Sequence, residues 1–456
     1  MAMRRLVGLL CTLTLLTSTS VATHLRCGEI IVNTVSANTV EITIRVYTNT
    51  LDTHVLFGGD QDRLDFGDGQ TMMVPEQINV ELEELGNDVG VASFTVRHTY
   101  DSPGRYTVSY TEPNRNDAIL NFDNSVGTMF YLETTFTLDA AIGEYISPQA
   151  YYRPIFFAYH DQPFSASIAS EGMPGSELQY TIVTPLKGKN SQVDNYRLPD
   201  DLTIDKHTGL ITWNNMFNGK FSAGEYLIAV RIDQYARIND NMMRIGSMYR
   251  DLQIILDESV EFNGTVGDNT EDDYLNVFEN SSKSIRVFTE YTPGQTIEIE
   301  LSTDFPEDYL TYVTYDSTTD SGPMKVTRID LLTDPSVVRD HPYVISIRNG
   351  FESNGQRFNS DINYAVFTKE YDPIMGVERP VKRMFSPNPA QTFIQLHNLP
   401  DSRLSIEFID LRGTRSVFLP AHQQSVDLTS LTPGLYLLRI RDPSGRIIAE
   451  DKVLKL

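Results

Sequence analysis

Apolar and polar residues alternate along most of this chain. Residues 40–47, 297–301 and 343–348 each carry an apolar side chain at least at every second position. A period of two residues is that of a β-strand with one buried face, whereas an amphipathic helix repeats its apolar positions every 3.6 residues. The pattern therefore predicts an all-β protein, and a length of 456 residues suggests about three domains.

The N-terminus has the three parts of a secretory signal. Two arginines precede an apolar run at residues 6–16, and small residues follow up to Ala22. The run is shorter than the roughly 20 residues that span a bilayer, and no later segment is long and apolar enough to do so. We therefore expect a signal peptide at residues 1–22, cleaved between Ala22 and Thr23, and no transmembrane segment.

The two cysteines have different expected fates. Cys11 lies inside the apolar run and leaves with the signal, so Cys27 is the only cysteine expected in the exported chain. A single cysteine cannot form an internal disulfide. Because free cysteine is among the most buried residue types, we expect Cys27 in the core, with an intermolecular disulfide as the alternative.

The charge argues against two classes of partner, nucleic acids and anionic membranes. The formal net charge is −24 at pH 7, which is the wrong sign for a protein that neutralises nucleic-acid phosphates or docks on an anionic membrane. Strong acidity more often serves solubility. No nucleic-acid partner is expected.

A first module is predicted at residues 23–140. Its motif residues are Asp65-Phe66-Gly67-Asp68-Gly69, His98, Tyr100, Gly104, Tyr106 and Val108. The Asp-Gly and Pro-Gly pairs in this region are turn signals between strands. The two separated motifs resemble those of the PKD domain family, although Leu64 stands where that family usually has tryptophan. The resemblance implies an immunoglobulin-like β-sandwich that acts as a spacer or adhesion module.

A second module is predicted at residues 147–257. The stretches 198–213 and 224–232 resemble the cadherin-like or immunoglobulin-like repeats of bacterial surface proteins. Trp213 ends the first stretch. Because large aromatic side chains usually supply buried area in a sandwich, we expect Trp213 in the core and not on a sugar-binding face.

Two linkers and a third sandwich follow. Residues 263–282 are rich in Asp, Asn and Glu and predict an acidic linker. Residues 283–370 alternate again and predict a third sandwich without a family motif. Residues 371–382 hold two prolines and a glycine and predict a second linker.

The C-terminus, residues 383–456, carries four ordered motifs. Their residues are Pro387, Asn388 and Pro389, then Asp410 and Gly413, then Gly434 and Tyr436, and finally Lys452. They resemble the C-terminal sorting domain of type IX secretion cargo, whose small size also requires a compact β-sandwich. The resemblance implies recognition by the secretion channel, removal by a sorting peptidase, and a final location at the outer cell surface or outside the cell, after passage through the periplasm.

No catalytic motif is present, and the histidines are scattered singly, so we expect no enzyme. A surface hydrolase with acids meeting between modules is the less favoured alternative. The acids Asp60, Asp62, Asp65 and Asp68 fall within nine residues and could supply oxygen ligands for calcium, but their spacing is not that of a calcium loop. Asp65 and Asp68 are also explained as turn residues, and no cofactor is expected.

The leading interpretation is an exported, non-catalytic binding, adhesion or structural protein whose surface ligand is a glycan or a protein. The alternative is a carbohydrate-binding accessory protein. That alternative requires exposed aromatic side chains on one sandwich face. The aromatic cluster that could provide them is Tyr151, Tyr152, Phe156, Phe157 and Tyr159.

Overall fold

The chain divides into two compact units, Met1–Glu370 and Tyr371–Leu456. The computed structural model describes residues 25–370 and 385–455, apart from gaps at 51–56, 60, 79, 82–88, 118, 161, 163, 214–220, 259–263, 271–272, 320–321, 354–355, 387–391, 397–404, 411–414, 419–424, 433 and 442–446. The predicted signal peptide 1–22, its cleavage site at Ala22 and Thr23, and the predicted linker 371–382 lie outside the described residues.

The described residues contain no α-helix and their regular secondary structure is almost entirely β-strand, so the predicted fold class is confirmed. The first sandwich is built from β1 (Leu25–Ser36), β2 (Thr39–Asn49), β3 (Arg63–Asp65), β4 (Thr71–Met73), β5 (Val80–Glu81), β6 (Val89–Thr99), β7 (Gly104–Glu112) and β8 (Phe130–Leu138). β2 lies between β1 and β6. Its alternate residues Val40, Ile42 and Ile44 are buried in the core of this sandwich, as the period of two predicts.

The second sandwich surrounds Trp213, which is fully buried, as predicted. Its strands are β9 (Gln149–Ala150), β10 (Ile155–Tyr159), β11 (Phe164–Ser167), β12 (Ser170–Glu171), β13 (Glu177–Val183), β14 (Leu186–Gly188), β15 (Ser191–Gln192), β16 (Leu202–Ile204), β17 (Leu210–Trp213), β18 (Gly224–Ile238) and β19 (Asn241–Asp257). The indole ring contacts Phe221 and Tyr226 edge-to-face, with ring centroids 4.9 and 5.4 Å away. Such contacts add to the burial of apolar area.

The third sandwich is built from β20 (Gly264–Asp268), β21 (Tyr274–Phe278), β22 (Ser282–Tyr291), β23 (Thr296–Thr303), β24 (Leu310–Thr319), β25 (Gly322–Leu332), β26 (Tyr343–Ser353) and β27 (Gln356–Lys369), with 3₁₀ turns at Glu307–Tyr309 and Pro335–Val337. The expectation of an acidic linker at 263–282 was wrong: β20 pairs with β22, and β21 pairs with β27. Leu275 and Val277 are buried in the core here. The prediction rested on the many acidic residues, but the few apolar residues of this segment are enough to hold β21 in the core.

β19 joins the first two sandwiches in one sheet. One of its edges pairs with β18 along its length. The other edge pairs in turn with β8 at residues 246–248, with β1 at Asp251 and with β10 at residues 253–257. Strands from the predicted modules 23–140 and 147–257 are therefore hydrogen-bonded side by side along this seam, which we call the β19 seam.

A second junction links the second and third sandwiches. β11 and β27 pair in parallel at Ser165 and Ser360. Beside this pair, the Ser167 N–H donates to Asp361 Oδ2 at 2.6 Å, and Asn363 Nδ2 donates to the Thr208 carbonyl at 2.9 Å. Buried polar groups are thus satisfied across the junction, which avoids the cost of leaving them unpaired.

The C-terminal unit has its own core. Its strands are β28 (Phe385–Ser386), β29 (Phe393–Leu396), β30 (Ser405–Asp410), β31 (Arg415–Phe418), β32 (Ser425–Asp427), β33 (Gly434–Arg441) and β34 (Ile447–Lys455). They form a three-stranded and a four-stranded sheet. Ile394, Phe408 and Leu438 are among the side chains buried in its core. Within the described part of the chain, no helix is long and apolar enough to cross a membrane.

Candidate functional site

The residues of the PKD-like motifs form one aromatic cluster in the first sandwich. The His98 ring stacks on Phe66, with centroids 3.9 Å apart, and Tyr100 stacks on Tyr106 at the same separation. The Tyr100 hydroxyl donates to the Phe66 carbonyl at 2.8 Å, and His98 Nε2 lies 2.7 Å from Asp68 Oδ2. These residues therefore hold the β3–β4 turn against β6 and β7, which is a structural role.

The calcium candidates do not converge. Asp62 is buried, and its burial raises the pKa of its carboxyl to about 6. Asp65 accepts from the Gly67 N–H at 2.8 Å, and Asp68 accepts from the Gln70 N–H at 3.0 Å. Asp60 lies outside the described residues. Among the residues that are described, no group of three or more His, Cys, Asp or Glu side chains could hold a metal ion.

The aromatic cluster at residues 151–159 does not form an exposed face. Tyr152, Phe156, Phe157 and Tyr159 are buried, and Tyr151 is partly buried. β10 has both faces covered: Phe156 packs in the core of the second sandwich, whereas Phe157 packs beside Cys27 and Tyr47. The expectation that these rings could line up on an exposed face was wrong, and the carbohydrate-binding alternative loses its support. Cys27 is buried, as expected.

A cavity of about 320 Å³ opens at the β19 seam. We call it the arginine pocket. It is lined by Glu29, Arg45, Tyr47, Val91, Ala150, Tyr151, Tyr152, Arg153 and Arg250. These residues come from β1, β2, β6, β9, the segment between β9 and β10, and β19. Strands of two sandwiches must therefore pair correctly before this pocket exists.

Three arginines line the arginine pocket against one carboxylate. Arg250 is buried, and its Nε lies 2.7 Å from Glu29 Oε2. Arg45 Nη1 lies 3.3 Å from the other oxygen of the same carboxylate. Arg250 Nη2 donates to the Tyr152 carbonyl at 2.9 Å, whereas its Nη1 has no hydrogen-bond partner among the described residues. One glutamate thus offsets the charge of two guanidinium groups.

The rim of the arginine pocket is accessible. The side chain of Arg45 is 42% exposed, and Arg153 is also exposed. Glu300, outside the lining, lies close enough to sense the charge of Arg153. Counting the lining residues alone, the arginine pocket carries an excess of positive charge in a chain whose net charge is −24. An accessible positive pocket on an acidic protein concentrates the local potential and attracts anions.

Tyrosines form the walls of the arginine pocket. Burial, with a smaller contribution from Glu29, raises the pKa of Tyr47 to about 12. Burial likewise raises the pKa of Tyr151 and Tyr152 above the usual range. The three phenols are therefore neutral at physiological pH and add no negative charge. Arg45, Arg153 and Arg250 are about 100 residues apart in sequence, so no spacing motif could have revealed this site.

The sorting-motif residues lie in the C-terminal unit. Asp410 ends β30 and is the cross-strand partner of Tyr436 in β33, which Gly434 begins. The Tyr436 hydroxyl donates to the Thr432 carbonyl at 2.8 Å. Lys452 lies in β34 opposite Leu437. Pro387, Asn388, Pro389 and Gly413 lie outside the described residues.

Comparisons with known proteins identify one part of the chain. Residues 385–454 match the family model described as a secretion system C-terminal sorting domain. No curated protein matches this chain in sequence.

Solved structures similar to this chain include immunoglobulin-domain proteins. The complex of Dpr2 Ig1–Ig2 with DIP-Theta Ig1–Ig3 is 9% identical, with a TM-score of 0.16, and the match covers 73% of this chain and 94% of the other. The N-terminal eight Ig domains of Down Syndrome Cell Adhesion Molecule are also 9% identical, with a TM-score of 0.16, over 94% of this chain and 49% of the other. Likenesses at these scores carry no argument about function.

The assignment of a sorting role rests on the matched residues 385–454 and on the compact unit that contains them. This chain therefore carries the C-terminal sorting domain of type IX secretion cargo, which directs it to the secretion machinery and to the cell surface or the extracellular space.

Proposed function

We propose that this protein is an exported, non-catalytic binding protein of the cell surface, and that the arginine pocket holds an anionic group of its ligand. The observation that carries the proposal is the pairing of one carboxylate, Glu29, with two arginines, Arg45 and Arg250, in a cavity open to solvent. A third arginine, Arg153, stands at the rim. Glu29 alone cannot neutralise both Arg45 and Arg250, and this remaining positive charge attracts a carboxylate or sulfate group.

The expected binding mode follows from the chemistry of the lining. Guanidinium groups form planar, bidentate contacts with carboxylates and with similar oxyanions. The exposed side chain of Arg45 is placed to make such contacts, and the buried charge of Arg250 adds attraction. A volume of about 320 Å³ is at the lower end of the range for ligand pockets, so one anionic residue of a larger molecule is the expected occupant.

The binding test uses matched anionic and neutral probes. The exported protein is applied to an array of uronate-bearing and sulfated glycans, acidic peptides, and their neutral counterparts. Arg45→Gln and Arg153→Gln each remove one guanidinium from the rim. Arg97→Gln is the matched control, because Arg97 pairs with Glu41 on an exposed surface and does not line the pocket.

We expect acidic probes to bind and neutral counterparts not to bind. A charged hydrogen bond contributes about 1.5–3 kcal/mol, so each rim variant should weaken binding by about 10- to 100-fold. Arg97→Gln should bind as the wild type does. Equal binding of neutral probes, or rim variants that bind normally, would overturn the proposal.

We also propose family relationships for the first two sandwiches. The contacts among Phe66, His98, Tyr100 and Tyr106 support a PKD-like first sandwich, since they involve the residues on which that resemblance rests. The position of Trp213 in the core supports a cadherin-like or immunoglobulin-like second sandwich. A non-catalytic role is supported by the composition of the arginine pocket, whose one carboxylate is engaged by arginines.

The proposal also includes processing at both ends. We expect a sorting peptidase to remove the C-terminal unit, and a signal peptidase to cut between Ala22 and Thr23. Terminal-peptide mass spectrometry on protein from the cell surface and from the medium tests both cuts. Loss of residues 1–22 and of everything beyond 371–382 is expected, and an exported chain that retains its C-terminal unit would contradict the removal step.

A further inference from the structure

β24 is an uncovered edge strand. The sheet to which it belongs has the order β20–β22–β25–β24. β24 pairs with β25 along its whole length, from Leu310 opposite Leu331 to Thr319 opposite Gly322. Its other edge has no partner among the described strands. The N–H of Leu310 at the start of this edge donates to the Glu307 carbonyl. Beyond Leu310, every second residue presents a backbone N–H and carbonyl that β25 does not use, which is a template for another strand.

The side chains of β24 favour strand pairing. Tyr312, Val313 and Tyr315 are 53%, 45% and 45% exposed. Aromatic and β-branched residues are the strongest formers of β structure, and threonines occupy most of the remaining positions. Proteins usually protect an edge with a lysine, a proline or a bulge. β24 has none of these, and its register with β25 is unbroken.

Charge distinguishes β24 from the other long edge of the third sandwich. β23, at the edge of the second sheet, carries the exposed acids Glu298 and Glu300. β24 carries one acid, Asp316, which pairs with Lys325 at 2.8 Å. Two copies of a chain with net charge −24 repel each other over most of their surfaces. Of these two edges, that of β24 is therefore the one at which a second copy meets less repulsion.

We propose that β24 pairs antiparallel with β24 of a second copy of this chain, so that two four-stranded sheets form one continuous sheet across a twofold axis. The pairing is self-complementary, since it brings the nearly uncharged strand against its own copy. The one acid of each β24, Asp316, keeps its ion pair with Lys325 of the same chain. It goes beyond the proposed ligand binding, because none of its residues lines the arginine pocket.

Twofold symmetry fixes which residues face each other. In an antiparallel pair related by an axis normal to the sheet, one residue of the strand faces its own copy. The exposed middle of β24 places Val313 or Thr314 at that position. The Cα atoms of directly opposite residues are about 4.5–5.5 Å apart, which lies within the range that a disulfide can bridge.

The first test measures mass in solution. Sedimentation equilibrium of the protein, in the form that its host exports, should show a reversible dimer of twice the monomer mass. Val313→Lys places a charge on the edge and should weaken dimerisation at least tenfold. Met243→Lys is the matched control, because Met243 is 53% exposed in β19, away from β24. A chain that is monomeric at all concentrations, or a Val313→Lys variant that dimerises normally, would overturn the proposal.

A second test keeps the proposal falsifiable if Val313→Lys fails to fold. Single cysteines are placed at positions 312, 313, 314 and 315 and oxidised at a concentration where the wild type is dimeric. Cys27 is buried and should not compete. One of positions 313 and 314 should cross-link rapidly and nearly completely, with its neighbours much slower. Equal slow cross-linking at all four positions, which random collision produces, would refute the twofold pairing.

Discussion

Arg115 offers the sharpest test of whether the β19 seam holds the first two sandwiches together. It is fully buried in the segment between β7 and β8. Its Nη1 donates to Asp251 Oδ2 in β19 at 2.6 Å, and its Nη2 donates to the Leu186 carbonyl in β14 at 2.8 Å. One side chain of the first sandwich therefore satisfies two buried acceptors of the second.

The expected effect of Arg115→Met is large. Methionine preserves much of the apolar volume but leaves the buried Asp251 carboxyl without its counter-charge. Breaking a buried ion pair in this way typically costs about 3–5 kcal/mol, which is a large part of a total stability of about 5–15 kcal/mol. In the double variant Arg115→Met/Asp251→Leu no charge is left unpaired, so its cost should be well below the sum of the two single variants.

Urea unfolding followed by Trp213 fluorescence is the assay. Trp213 is the only tryptophan of the chain and lies in the second sandwich, whereas Arg115 lies in the first. If the seam couples the two sandwiches, Arg115→Met moves the fluorescence transition to a lower urea concentration. The free energy of unfolding obtained from that transition should fall by about 3–5 kcal/mol. Arg197→Met is the control, since the exposed Arg197–Asp123 pair should contribute under about 1 kcal/mol. An unchanged Trp213 transition in Arg115→Met would refute the coupling.

Three further predictions concern stability. Burial raises the pKa of Asp62 to about 6. The stability that protonated Asp62 contributes is therefore complete below about pH 4 and is lost as the pH rises through 6. Asp62→Asn should remove this pH dependence and raise the free energy of unfolding at pH 8, measured by urea titration, by about 2–3 kcal/mol. Gly67 has φ +83°, and an added Cβ would lie 2.4 Å from the Thr107 carbonyl oxygen. Calorimetry should therefore show that Gly67→Ala lowers the stability by at least about 2 kcal/mol. Gly69→Ala should cost less, because a Cβ added at Gly69 meets no atom within 4 Å. Trp213→Ala should cost about 3–5 kcal/mol in chemical denaturation followed by circular dichroism.

Local patterns predicted the local structure well. Residues 40–47 fall within β2, and residues 343–348 fall within β26, because a period of two records which face of a strand is buried. The burial of Trp213 followed from its apolar area. The turn at residues 65–69 followed from glycine, since Gly67 and Gly69 both have positive φ.

Contacts between distant segments could not be predicted in this way. Nothing in the composition of β19 tells which strands it pairs with, since pairing depends on partners far along the chain. The aromatic residues at 151–159 looked suitable for ligand binding, but β10 is covered on both faces. A continuous apolar run fits a strand buried on both faces as well as it fits an exposed platform.

The arginine pocket was missed for the same reason. Arg45, Arg153 and Arg250 meet only after strands of two sandwiches have paired. In the sequence the three arginines are far apart: Arg45 lies in the alternating stretch of β2, Arg153 in the segment between β9 and β10, and Arg250 in β19. No local pattern connects these three positions to a shared cavity.

The most direct measurement is the position of a bound ligand in a crystal structure of the exported protein with its tightest-binding acidic probe. We predict that the carboxylate or sulfate lies within hydrogen-bond distance, about 3 Å, of the guanidinium of Arg45 or Arg153. A probe bound at another surface, with the arginine pocket holding only solvent, would contradict it.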